Sequence, residues 1–372
     1  MPVFKKDIIP PDNKVMPFEG NFHSQSLKQH IFDVTRRWLD PDGDGNPSDG
    51  VDGFRLDVAG EIPVGFWREY RKVVRSVNPD AYLIGEIWWL EWPDKLFDPK
   101  VYLEGDQFDA IMNYRWYKVA RGFFGQAEPV LTPTGFVKEI NRINKGINIE
   151  NLQVMMNVPS THDTPRLSTS LFNKTMDKYK AKPSDNPDYK IIKPDQRTRK
   201  EQIILLIHQF TFIGAPQIWN GEEVGMWGAD DPDCRKPMVW NDISYEDEHT
   251  AFDPTKSRQV DVVRPDTTLR SFYNKLCCMR KENPVLVYGD LSFSVADDKN
   301  MVLAYDRMLG NQEVAVVFNR SDSLRFVKVP VRTDGEFEDI LSGESNSFKS
   351  DDKKIRISLN PLSGIVLKKK VK

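Results

Sequence analysis

The chain has 372 residues, 39% hydrophobic and 29% charged, with aromatics at 11% and nine Trp, which excludes a wholly disordered or collagen-like polypeptide. Its 52 basic and 55 acidic residues leave a net charge of -3, so there is no global positive field to gather nucleic acid or anionic lipid. Three cysteines, Cys234, Cys277 and Cys278, are too few and too unevenly placed for a disulfide framework or a zinc site. The longest apolar stretch, Ile203 to Gly214, contains His208 and Gln209 and is too short to span a bilayer. The opening MPVFKKDIIPPDNK lacks the apolar core of a signal peptide, an observation that bears on compartment only if Met1 is the true start; cytoplasm is slightly favoured.

After a Pro-rich, polar start, LKQHIFDVTRRWL (Leu27 to Leu39) has the apolar spacing of an amphipathic helix, and DPDGDGNPSDG reads as a loop. VDGFRLDVA (Val51 to Ala59) reads as a buried strand, VGFWREYRKVVRSV (Val64 to Val77) as a helix closed by Asn78 and Pro79, and AYLIGEIWW (Ala81 to Trp89) as a second strand. FDAIMNY (Phe108 to Tyr114), a helix near Thr134 to Lys145, and the strand LQVMMNVPS (Leu152 to Ser160) continue the alternation. A polar insertion from Phe172 to Gln196, a buried helix from Arg199 to Phe212, the short strand APQIWNG (Ala215 to Gly221) and a helix from Thr267 to Lys281 follow. Strands alternating with helices predict βα units around a parallel sheet. Beyond Pro284 the pattern changes to period-two runs, MVLAYDR, EVAVVFNR, RFVKVPV, KIRISL and GIVLKKK, which predict an antiparallel β-sandwich over 285–372 after an α/β domain over 1–284.

The chemistry is concentrated in carboxylates. Asp57 closes one strand and Glu86 the next, and catalytic groups of an α/β barrel project from the C-terminal ends of its strands. Asp163, with His162 beside it, follows another strand in VPSTHDTPR. Buried carboxylates are expensive unless paired, so three of them converging need a reason; pairing of each with an arginine such as Arg55 or Arg166 is the plain alternative. Glycoside hydrolysis needs such a set: one carboxylate attacks the anomeric carbon while a second, protonated, donates to the leaving oxygen. Arg55 lies on the face of Asp57 and would keep it ionised, His162 is a natural donor to a sugar hydroxyl, and Trp88, Trp89 and Trp92 crowd around Glu86.

GFRLDVA, GEIW and THDTPR resemble the signature segments of the alpha-amylase superfamily of glycoside hydrolases. DDPDCRKPMVW and WLDPDGDGNPSDGVDGFRLDVA resemble its neopullulanase, cyclomaltodextrinase and maltogenic amylase branch. The resemblance implies Asp57 as nucleophile, Glu86 as general acid/base and Asp163 as transition-state stabiliser, with Arg55 and His162 as accompanying contacts. It also implies Trp88 on the aglycone side and Asp231 with Arg235 on the non-reducing glucosyl units. Gly60 stands where this branch often has Asn, and Trp219 where a Tyr is common. The family barrel has eight strands, whereas about five are legible here and nothing upstream of Asp57 supplies the further signature on the third, so the expected fold is a partial TIM (β/α)8 barrel followed by the sandwich.

The expected activity is retaining hydrolysis of α-1,4 linkages in maltooligosaccharides, cyclodextrin, pullulan or starch by the C-terminal part of a longer enzyme. The alternatives are a non-catalytic glucan-binding or interaction fragment, and a different barrel enzyme such as a carboxylate-using lyase. The retaining mechanism needs no metal or organic cofactor. Asp40, Asp42 and Asp44 alternate like the opening of an EF-hand loop, but the twelfth position is Val51 rather than Glu, so a turn-rich loop is expected, with a structural calcium as the alternative.

Overall fold

Polar caps start several of the helices. Ser24 Oγ accepts from the N–H of Leu27, Asp195 from that of Thr198 and Asp266 from that of Leu269, each satisfying one orphan donor of a first turn. The computed structural model describes residues 4–91, 95–174, 180–253, 255–343 and 346–370. In chain order these form β1 (Lys6–Ile9), β2 (Glu19–Phe22), α1 (Gln25–Leu39), β3 (Gly53–Leu56), α2 (Val64–Val77), β4 (Tyr82–Gly85), β5 (Trp89–Glu91), β6 (Lys95–Leu96) and β7 (Ala110–Ile111). They continue with α3 (Tyr114–Phe124), α4 (Pro133–Asn144), α5 (Ile149–Val154), β8 (Met156–Asn157), α6 (Leu167–Phe172), α7 (Gln196–Thr211), β9 (Ala215–Pro216), α8 (Thr267–Glu282) and α9 (Pro284–Tyr288). The last strands are β10 (Asp290–Asp297), β11 (Val302–Leu309), β12 (Gln312–Asn319), β13 (Arg325–Pro330), β14 (Glu336–Asp339), β15 (Ser347–Lys349), β16 (Lys354–Leu359) and β17 (Ser363–Lys369). Among the described residues no helix is long and apolar enough to cross a membrane.

One structural unit comprises Met1–Tyr114 with Asn144–Met156. Its centre is the parallel sheet β3-β4-β7, in which Arg55 stands opposite Ile84 and Leu56 opposite Gly85, with a further parallel bridge from Met112 to Met156. Gly53 allows the β3–β4 approach, since a Cβ there would lie 2.0 Å from the Tyr82 carbonyl oxygen. Helix α2 joins the two strands and buries Val64, Phe66, Trp67, Tyr70 and Val74, a spacing that puts one stripe against Phe22, Phe32 and Phe108. The register of β4 is pinned by Asp109, which accepts from the N–H of Leu83 and from Arg71 and Arg75.

The other unit comprises Arg115–Ile143 with Asn157–Lys372. Its central helix α7 is buried nearly all round over Ile204–Thr211. The C-terminal strands form a six-stranded antiparallel sheet, β10-β11-β12-β17-β14-β15, and a two-stranded one, β13-β16. Val302, Ala304, Ala315, Val317 and Leu367 of the first pack with Val329, Ile355, Ile357 and Leu359 of the second in one core, which is the expected sandwich.

Buried polar bonds tie this sheet to the helices. His208 stacks on Trp116 and Phe124, accepts at Nε2 from the Trp116 indole and contacts Tyr305 Oη through Nδ1; burial pushes its pKa well below the usual value. Arg280 donates to the carbonyls of Phe210, Phe212 and Gly214, and Arg307 to those of Thr211, Leu286, Gly289 and Asp290.

The elements differ from expectation in several places. The strand read over 152–160 is helix α5 followed by two residues of strand, because Asn148 caps a turn by accepting from the N–H of Asn151. The runs at 108–114 and 215–221 shrink to β7 and β9, and FDAIMNY passes directly into an unexpected helix, α3. In the insertion expected from Phe172 to Gln196, residues 175–179 lie outside the described residues. Those at 180–195 form neither helix nor strand, with Ala181 and Tyr189 packed on Ala229.

Asp306 of β11 is buried, and desolvation, reinforced by Glu313, pushes its pKa up to about 7. An unfolded Asp titrates near 4, so between these values the folded chain binds the extra proton and stability falls as pH rises. Asp306→Asn is expected to flatten that fall and to stabilise the fold by roughly 1–3 kcal/mol at pH 8, read from urea unfolding at pH 5 and pH 8. A fall of the same size in both proteins would refute it.

Candidate active site

The site residues fall into two groups, one in each unit. In the first, Arg55 lies in β3, Asp57 directly follows it, and Glu86 follows β4. The parallel register carries both carboxylates to the same end of adjacent strands. Arg55 Nη1 bonds Asp57 Oδ1, and its Nη2 lies 3.0 Å from Glu86 Oε1. The guanidinium is itself steadied by Met112, whose sulfur accepts from Nε at 3.4 Å. Glu86 Oε2 accepts the backbone N–H of Val58 at 2.9 Å. Glu86 is 10% exposed and Asp57 66% exposed. The burial expected of these carboxylates therefore holds for Glu86 and is corrected for Asp57, which leaves the strand at a turn and stands open.

Trp88 stacks on Tyr114, with ring centroids 3.7 Å apart and planes 4° from parallel, and also on Trp89 at 4.8 Å. Trp92 lies outside the described residues.

In the second unit, His162 Nε2 lies 3.1 Å from Asp163 Oδ2, and Arg235 Nη2 bonds Asp163 Oδ1 at 2.7 Å. Arg235 Nε is 2.7 Å from Asp231 Oδ1 and donates to the His162 carbonyl at 2.9 Å. The four expected residues of this unit thus form one cluster, with Arg235 between the two aspartates. The His162 ring also leans on Trp219, 5.8 Å between centroids, and the Trp219 indole donates to the Cys234 carbonyl. Burial pushes the Cys234 thiol up to about 12, so it stays protonated.

Every predicted carboxylate therefore has an arginine, as the plain alternative required, but Asp163 takes Arg235 and not Arg166. Arg166 donates to the Asn220 carbonyl instead. Below it, buried Glu222 accepts from Ser160 and from the N–H of Leu167, and desolvation raises its pKa. Sequence reasoning missed Val58, Met112 and Glu222. Only Glu222, a carboxylate directly after the short run APQIWNG, carried any signal.

In the loop after α1, carboxylate oxygens of Asp40, Asp42 and Asp49 lie within 4.8 Å of one another. Asp44, expected with the first two, turns away to accept the N–H of Asn46, while Asp40 accepts those of Gly43 and Gly45.

Residues 19–289 match the alpha-amylase catalytic domain and residues 293–370 the alpha-amylase C-terminal all-beta domain. The chain belongs to the alpha-amylase family. Among its relatives are a cyclomaltodextrinase of Geobacillus thermopakistaniensis, 31% identical over 353 residues, covering 95% of this chain and 49% of that protein, and neopullulanase 2 of Thermoactinomyces vulgaris, 30% identical over 343 residues, covering 92% and 48%. A solved cyclomaltodextrinase structure shares the fold with a TM-score of 0.71 at 24% identity, over 99% of this chain and 54% of its own. The chain spans about half the length of the curated relatives it matches.

Arg55 reaches both strand-end carboxylates, so its loss removes a contact from each. Arg55→Gln is expected to lower stability by about 1 kcal/mol, read from urea unfolding at pH 7. Unchanged unfolding would show that the Arg55 contacts do not hold the strand ends together.

Proposed function

We propose that this chain is the C-terminal part of a retaining α-glucan hydrolase that cleaves α-1,4-glucosidic bonds by double displacement, on maltooligosaccharides, cyclodextrin, pullulan or starch. It would carry about five of the eight βα units of a (β/α)8 barrel, with the boundary to the β-sandwich near Pro284. Family membership supports glucan chemistry. The observation that carries the retaining reading is the Arg55 fork, because adjacent nitrogens of one guanidinium reaching both carboxylates keep them close together. That suits the ~5 Å separation of retaining enzymes better than the wider gap an inverting enzyme leaves for water.

In this reading Asp57 attacks the anomeric carbon while Glu86 transfers its proton to the leaving glycosidic oxygen, giving a glycosyl ester on Asp57. Glu86 then takes a proton from water, and the resulting nucleophile cleaves the ester, releasing the sugar with its anomeric configuration retained and restoring both groups. Asp163, oriented by Arg235 and His162, would bind sugar hydroxyls and favour the oxocarbenium-like transition state. Asp231 with Arg235 would serve the non-reducing glucosyl units, and Trp88 would border the aglycone.

A second reading, an inactive glucan-binding or interaction fragment, is favoured by the share of its relatives that the chain spans. A structural calcium is a separate proposal, resting on Asp40, Asp42 and Asp49 rather than Asp44.

Release of reducing sugar from maltoheptaose and β-cyclodextrin by the 372-residue chain tests the two functional readings. Turnover that Asp57→Asn or Glu86→Gln lowers by more than about 10³-fold, with α-anomeric product in early NMR spectra, is the expected result. Turnover unaffected by these substitutions would sink the site assignment. Binding of maltoheptaose without turnover would support the fragment reading. For the calcium, a rise in Tm with added calcium that Asp42→Asn abolishes is expected, and identical melting in calcium and chelator would refute it.

A further inference from the structure

Val58, directly after Asp57, has φ 49° and ψ 35°, in the left-handed region where a β-branched side chain is a genuine outlier. Packing of the side chain does not explain it, since Val58 is 40% exposed. Its backbone groups are both engaged: the N–H donates to Glu86 Oε2 at 2.9 Å, and the carbonyl accepts from Glu61, closing the turn Ala59–Glu61. These contacts of Arg55 and Val58 with Glu86 differ in kind. Arg55 Nη2 is 3.0 Å from Oε1 yet makes no aligned hydrogen bond, whereas the Val58 N–H does. Arg55 therefore supplies charge, and the peptide between Asp57 and Val58 supplies direction.

We propose that Val58 is a positioning residue for Glu86, its strained backbone aiming one N–H at Oε2 so that the peptide carrying Asp57 also orients the second carboxylate. This rests on the proposed function for its purpose, because it sets the geometry of nucleophile and acid/base through four consecutive residues, Arg55 to Val58. The geometric claim stands apart from turnover. Strain held at a functional position is expected where the surroundings over-determine it.

The test uses the full chain with 15N-valine and measures the Val58 amide, assigned by its loss in Val58→Gly. The expected result is a downfield amide proton whose exchange accelerates about tenfold in Glu86→Ala. Should that variant not fold, Glu86→Gln is expected to move the same proton upfield, because an amide oxygen is a weaker acceptor than a carboxylate. In Val58→Gly, which frees the backbone without removing the N–H, the two γ-methylene proton shifts of Glu86 are expected to converge as the side chain loses its fixed orientation. An amide whose shift and exchange ignore Glu86, or a Val58→Gly chain that melts higher with Glu86 unchanged, would assign the strain to the Ala59–Glu61 turn and overturn the proposal. None of these readouts requires hydrolysis, so an inactive chain would count against the proposed function alone.

Discussion

The arrangement at the ends of β3 and β4 depends on one guanidinium. Two carboxylates on neighbouring strands repel each other, and each loses hydration on approach, so a cation between them stabilises the pair. Arg55 can fill that place because the parallel register sets it opposite Ile84, one residue short of the Leu56–Gly85 pair, so that its fork reaches past the strand ends to Asp57 on its own chain and Glu86 on the next. A slip of one residue would turn its side chain to the opposite face of the sheet. The register is accordingly over-determined, by the close approach at Gly53 and by Asp109, which holds the Leu83 amide and two arginines of α2. Neither of these is chemically involved in the site, yet both fix where its charges stand.

Arginine does different work in the other unit. The last carbonyls of a helix have no intrahelical partner and lie at the negative end of its dipole. At the end of α7 they are also buried, where water cannot serve them. Arg280 and Arg307 reach them from α8 and from β11, taking the carbonyls of Phe210, Thr211, Phe212 and Gly214 between them. Desolvation lowers both guanidinium pKa values to about 10, still high enough to keep the charge at neutral pH. The consequence is that the sandwich is fastened to the helices by bonds whose loss would leave buried orphans on both sides. Hence the C-terminal sheet belongs structurally with α7 and α8 rather than hanging from them as an appendage.

How far the sequence was legible follows the same physics. Helix α2 was readable to the residue because its apolar stripe, its proline start and its Asn-Pro stop agree. Strand β16 was readable from period-two alternation, and β11 and β12 from apolar runs between turn residues, being buried on both faces. Asp57 and Glu86 were readable as charges at strand ends, whereas Asp163 stands six residues beyond β8. Helix α3 was hidden because YRWYKVARGFF is dense in aromatics that favour strands by propensity, and burial overrode that preference. Strands β7, β8 and β9 are two residues each, too short for any period to show. The replacement of Asp44 by Asp49 in the carboxylate cluster was invisible because it depends on which side chains the loop uses for its own amides. Val58 was equally hidden, since nothing in a valine announces a left-handed backbone.

The contrast in exposure between Asp57 and Glu86 bears on their proposed roles. A carboxyl taken out of water holds its proton more tightly, while one left in water ionises readily. Glu86 is the screened member of the pair and Asp57 the open one. Under the proposed reading, an open carboxylate suits the group that has to reach a sugar carbon, and a screened one suits the group that has to hold and return a proton. Arg55 touches both, so in that reading its charge would be shared while Asp57 is free and would fall on Glu86 alone once Asp57 is esterified. A cation held between an exposed and a screened carboxyl would thus couple the two through charge as well as through position.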